Sequence, residues 1–93
     1  MIAISDNLVW IDCEMTGLNP DIDEIVEVAV IVTNYDLEPL DAGFQIVIKP
    51  SAAALEQMND FVAAMHTTSG LITELDGGVS ISEAQAQMRP PVV

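Results

Sequence analysis

Asp12 and Glu14 stand two residues apart, directly after the apolar run Leu8-Val9-Trp10-Ile11. In an extended strand, residues i and i+2 point to the same face, so this spacing sets two carboxylates side by side. Two like charges there repel each other and lose hydration. A divalent cation resolves both problems, because it takes oxygen ligands and neutralises the pair. Carboxylates aligned at a strand end can hold the metals of a two-metal site, about 3.5–4 Å apart, which stabilise the attacking and leaving oxygens of phosphoryl transfer. An Asp-x-Glu pair is also common as plain exposed acids at a strand end, and both readings stand at this point.

The residues that follow favour the metal. Thr16-Gly17-Leu18 puts a small hydroxyl, a flexible residue and an exposed apolar side chain beside the carboxylates. Gly17 lets a substrate backbone approach closely, and Leu18 is placed to wedge against a base. His66 is the single histidine. At a helix C-terminus it serves equally as a favourable cap. Asp21-Ile22-Asp23-Glu24 lacks the spacing and glycine of a calcium loop and reads as a solvated turn. Cys13, the single cysteine, allows no disulfide within the chain. It sits in an apolar stretch between two acids and reads as a buried, inert thiol.

The elements that must position these groups follow from periodicity. Residues 8–14 are expected to form a central strand, residues 25–33 a second strand rich in Val and Ile, and residues 44–49 a third. Residues 16–23 form a loop, and Asn34-Tyr35-Asp36 makes a turn. The short connections predict an antiparallel meander. Phe44, Ile46 and Ile48 alternate with Gln45, Val47 and Lys49, so one face is more apolar. After Pro50 the period changes. Ser51 is the expected N-cap of a helix whose apolar stripe is Leu55, Met58, Val62 and Met65, ending over residues 66–70. Leu71, Ile72 and Leu75 suggest a short helical turn, and Asp76-Gly77-Gly78 a break. Ser80 and Glu83 have capping-box spacing, so a further helix begins near Ile81, and Pro90 and Pro91 stop it.

The chain has 93 residues, 51% of them apolar, which suggests one domain or less and excludes a disordered tail. Its 15 acidic residues against Lys49 and Arg89 give a formal net charge of −13. Taken alone, that opposes nucleic-acid binding, because phosphate contacts usually need Lys and Arg. Most of the acids serve as a solubilising surface, but cations held by some of them would reverse the local sign. The N-terminal residues lack a basic, apolar leader pattern, and no apolar run approaches the ~18–20 residues of a membrane span. A cytoplasmic protein is expected.

The phrase Val9-Trp10-Ile11-Asp12-Cys13-Glu14-Met15-Thr16-Gly17-Leu18 resembles the opening motif of the oligoribonucleases, in the histidine-base branch of the DEDD exonucleases. Ile25-Val26-Glu27-Val28-Ala29-Val30-Ile31-Val32-Thr33 resembles their next strand, and Met65-His66-Thr67-Thr68-Ser69-Gly70-Leu71 a second signature. The resemblance runs from about Leu8 to Glu83. It implies an α/β, ribonuclease H-like three-layer fold, of which residues 1–93 would be the N-terminal part of a single exonuclease domain. It implies cleavage of short single-stranded RNA from the 3′ end to nucleoside 5′-monophosphates, with Mg²⁺ or Mn²⁺, by a homodimer. Asp12 and Glu14 would be the metal ligands and catalytic residues. Leu18 would pack against a base, His66 would approach the terminal phosphate, and Phe61, where relatives often carry Trp, would stack. The family's two further Asp residues and its general-base His belong to a later part. The alternatives are therefore a catalytically silent fragment, or a small acidic binding module with at most a weak metal site.

Overall fold

The computed structural model describes residues 7–88. The expectations for the N-terminal leader pattern and for the helix stop at Pro90 and Pro91 fall on or extend into residues outside these. The elements run β1 (Asn7–Met15), β2 (Ile25–Asn34), β3 (Phe44–Val47), α1 (Ala52–Glu56), α2 (Asp60–Ser69), two 3-10 turns (Leu71–Thr73 and Leu75–Gly77) and α3 (Ile81–Met88). The strands form the expected antiparallel meander in the order β1-β2-β3.

The register decides which side chains share a face. Cys13 lies opposite Val28 and Glu14 opposite Glu27, while Val28 pairs with Ile46 and Glu27 with Val47. Alternation therefore puts Cys13, Val28 and Ile46 on one face and Glu14, Glu27 and Val47 on the other. On the first face Val28, Ile46, Ile48 and Ala84 of α3 form one buried cluster. On the second, Leu71 and Leu75 of the 3-10 turns pack with Val26 and Val47. Helical segments thus cover both faces of one sheet, which is an α/β three-layer arrangement. Met15 pairs with Ile25 although Glu14 pairs with Glu27, so Val26 is the additional residue of a β-bulge. The bulge bends β2 where β1 ends, and Val26 there is wholly buried.

Two expectations are corrected. First, β1 is not central among the described strands: β2 is, and β1 lies at the edge. Its apolar run is not buried either, since Val9, Trp10 and Ile11 are 62%, 51% and 65% exposed. The helices reach over β2 and β3 and leave this end of β1 uncovered, so apolar composition alone did not bury it.

Second, the single helix with a Leu55-Met58-Val62-Met65 stripe is two helices. Ser51 caps α1, its Oγ accepting from Ala54 N–H at 3.1 Å. The chain then breaks, and Asn59 caps α2 through Val62 N–H at 2.8 Å. The restart changes the helical phase, so α2 buries Val62 and His66, and Leu55 and Met65 stay exposed. Gly70, in the left-handed conformation, ends α2. Glu83 N–H donates to Ser80 Oγ at 3.1 Å, fixing the start of α3. No described helix is long and apolar enough to cross a membrane.

Candidate functional site

Asp12 and Glu14 lie on the α2 side of the sheet, near the C-terminal end of β1. Asp12 is exposed and Glu14 half-buried. Across the strand pair Glu14 faces Glu27, an arrangement of like charges that weakens a sheet unless something neutralises it. Glu27 is partly compensated, its Oε2 accepting from Gln45 Nε2 at 2.8 Å. The donor set is hard oxygen, which suits Mg²⁺ or Mn²⁺ rather than a thiophilic metal. It is also incomplete, because no group of three or more His, Cys, Asp or Glu among the described residues is arranged to hold an ion. Asp12 and Glu14 are thus the right chemistry for part of a cation's coordination.

A cleft of about 220 Å³ opens beside Glu14. It is lined by Glu14, Glu27 and Gln45 from the sheet, Met65, His66 and Ser69 from α2, and Leu71 and Glu74 beyond. His66 is 1% exposed, and its Nε2 lies 2.7 Å from the Met15 carbonyl oxygen. Neither sequence reading of His66 is complete. Its side chain is a buried tie between α2 and the end of β1, not a free cap, and its ring borders the cleft. Phe61 is 78% exposed on the same helix. With Met65 and Ser69 it borders a second, shallower depression, so these two residues join the Phe61 surface to the Glu14 cleft.

Leu18 lies on the loop leaving β1 and is 88% exposed. It borders a separate depression with Met15, Gly17, Asn19, Pro20, Asp23, Glu24 and Ile25. The structure therefore brings Glu14, His66 and the Phe61 surface together, while Leu18 borders a depression of its own. Gly17 has a different reason from the one its flexibility suggested. A Cβ there would fall among the carboxylate atoms of Asp23, 2.8 Å from Oδ1. Close approach is required, but by an internal carboxylate.

Sequence reasoning missed three acids. Asp23 and Glu24 are not a solvated turn: both are half-buried and hydrogen-bonded. Glu24 accepts from Ser51 N–H at 2.8 Å and from Ser51 Oγ–H at 2.7 Å, joining the β1–β2 loop to the start of α1. Glu27 faces Glu14, and its signal was visible as a lone charge amid Val, Ile and Ala. Lys49, the one Lys or Arg among the described residues, lies 3.3 Å from Asp76 and borders one depression with Glu24.

The family model for the RNase T exonucleases matches residues 9–87. The chain is 64% identical over 85 residues to an oligoribonuclease of Leifsonia xyli, covering 91% of this chain and 41% of that protein. It is 58% identical over 83 residues to the oligoribonuclease of Tropheryma whipplei, covering 89% and 45%. The chain thus spans less than half the length of these curated relatives. Among solved structures, a full-length 3′-exonuclease superposes with TM-score 0.68 at 24% identity, over 91% of this chain and 28% of that one. A 3′-exonuclease described as recognising the 3′ end of a histone mRNA stem-loop superposes with TM-score 0.65 at 26% identity, over 88% and 28%.

Proposed function

The chain belongs to the RNase T family of exonucleases, and from that premise we propose that its protein is a 3′-to-5′ exoribonuclease that degrades short oligoribonucleotides to nucleoside 5′-monophosphates in the cytoplasm. The observation that carries this reading is the pair Asp12 and Glu14 on one face of β1, with Glu14 lining a cleft that α2 walls with His66. The oligoribonuclease names of the similar proteins support the substrate class.

In this reading Asp12 and Glu14 hold Mg²⁺ or Mn²⁺. A bound ion lowers the pKa of a coordinated water and shields the phosphodiester from the surrounding acids. That shielding answers the charge of −13, which would otherwise repel RNA. Leu18 on the loop after β1 and Phe61 on α2 are both exposed and offer apolar surfaces for the bases of a very short substrate. His66 stands in the wall of the cleft that would receive the terminal phosphate. Its tie to the Met15 carbonyl holds that ring in place. Two such subunits pair as a homodimer in the same proposal.

A specific observation favours a second reading for these 93 residues taken alone. His66 is the only histidine, and one of its nitrogens is already engaged by Met15. Among the described residues no second histidine is available beside Glu14 to take a proton from water, which favours a reading in which the 93 residues hold metal and RNA end without turnover. The test is to titrate Mn²⁺ and to follow nucleoside 5′-monophosphate release from the dinucleotide pApA. Binding of Mn²⁺ that disappears in Asp12→Asn supports the metal site, and its absence in the parent refutes it. Monophosphate release by the 93 residues would eliminate the second reading.

A further inference from the structure

We propose that Asp23 is a positioning residue for the base-facing loop 16–19: one carboxylate fixes Leu18 from both sides and so sets the affinity for the end of the RNA. The inference rests on the exoribonuclease reading for its ligand, but its structural half stands on the loop itself.

Leu18 is 88% exposed, so packing does not hold it. Its position must come from the backbone on either side. Before it, Thr16 is 1% exposed. Thr16 Oγ–H donates to Asp23 Oδ1 at 2.9 Å, and the same Oγ accepts from Glu24 N–H at 3.0 Å. Thr16 N–H donates to the Glu24 carbonyl at 2.9 Å, extending the β1–β2 pairing by one step. After it, Asn19 N–H donates to Asp23 Oδ2 at 2.9 Å, and the Asn19 carbonyl accepts from Asp23 N–H at 2.8 Å. Gly17 lies over the same carboxylate, where any Cβ would collide with it. Every residue of loop 16–19 except Leu18 is thus in contact with Asp23, and Leu18 is the residue the arrangement leaves free to touch a ligand.

The chemistry requires a carboxylate. Both oxygens accept, one from a hydroxyl and one from an amide, and only an ionised acid offers two acceptors in that geometry. Asparagine has the same shape but one acceptor, so its NH₂ would meet either the Asn19 N–H or the Thr16 hydroxyl. Thr16 Oγ could accept from that NH₂ as well as from Glu24 N–H, but its own proton would then lose its acceptor at a site 1% exposed. A loop that merely needed filling would tolerate the amide.

The test measures binding of pApA labelled with 2-aminopurine, in Ca²⁺ so that hydrolysis does not intervene, to the parent, Asp23→Asn, Leu18→Ala and the double variant. Asp23→Asn is expected to weaken binding about tenfold, which corresponds to about 1.4 kcal/mol. If Asp23 acts through Leu18, the double variant binds no more weakly than Leu18→Ala alone. Effects that multiply, or Asp23→Asn binding within about twofold of the parent, would overturn the proposal. Amide hydrogen exchange at Asn19 reads the loop without any ligand: Asp23→Asn and Thr16→Val should each speed it about tenfold, as local opening becomes easier. Unchanged exchange in both would sink the positioning role. A parent that exchanges slowly at Asn19 but fails to bind pApA would instead defeat the exoribonuclease reading.

Discussion

β1 and β2 are neighbours of similar apolar content with opposite fates. In β2, Val26 and Val28 are 0% and 4% exposed, whereas Val9 and Ile11 of β1 are more than half exposed. The difference lies in what covers them. Ala84 of α3 closes over Val28, and Leu71 and Leu75 close over Val26, while no described helix reaches the first half of β1. Strand propensity and burial are separate properties, and only the second is set by the helices that follow. The division also falls along β1 itself. Its C-terminal half, with Glu14 and Met15, is tied to α2 through His66, and its N-terminal half pairs with β2.

Substitutions can break that contrast, and the largest expected effect is at the covered end. Val28→Asp places an unpaired charge in the main cluster and should cost about 3 kcal/mol or more, enough to abolish a cooperative urea transition in a marginal domain. Ile11→Asp, on the neighbouring strand, should shift the same transition by no more than about 0.5 kcal/mol, the usual range for open positions. Equal losses at the two positions would mean that β1 is covered after all. His66→Leu should cost about 1–3 kcal/mol, because the Met15 carbonyl loses its partner at a buried junction. Its effect should appear as faster amide exchange in α2 and the end of β1, with the first half of β1 unchanged. Ser51→Ala removes the α1 cap and one Glu24 bond, for about 1 kcal/mol. The smallest change is Leu18→Ser, expected within about 0.5 kcal/mol in stability while weakening dinucleotide binding. It separates a residue kept for contact from one kept for folding.

Much of this was legible in the residues. Alternation placed Asp12 and Glu14 on one face. Ser51, Gly70 and the Ser80–Glu83 spacing marked helix ends by local hydrogen bonding that the chain carries wherever it folds. The failures share another character. Asn59 was a cap signal of the same kind as Ser51, but it lay inside an apolar stripe, and overlooking it shifted the helical phase by one residue, from Met65 to His66. Asp23 and Glu24 looked like solvated acids, because their partners Thr16 and Ser51 lie 7 and 27 residues away. Hydrogen bonds across that distance depend on a fold already formed. Burial of β1 was misjudged for the same reason, since a run of apolar residues does not name its cover.

The outer side of β1 also shapes how these molecules meet one another. No other described strand pairs with it, and it carries exposed Val9, Trp10 and Ile11, the kind of edge on which a further strand can add. What opposes that addition is the surplus of negative charge, which acts over about 10 Å at 0.1 M salt and about 3 Å at 1 M. Added salt should therefore reduce the colloidal stability of this protein, and dilute buffer should be its better solvent.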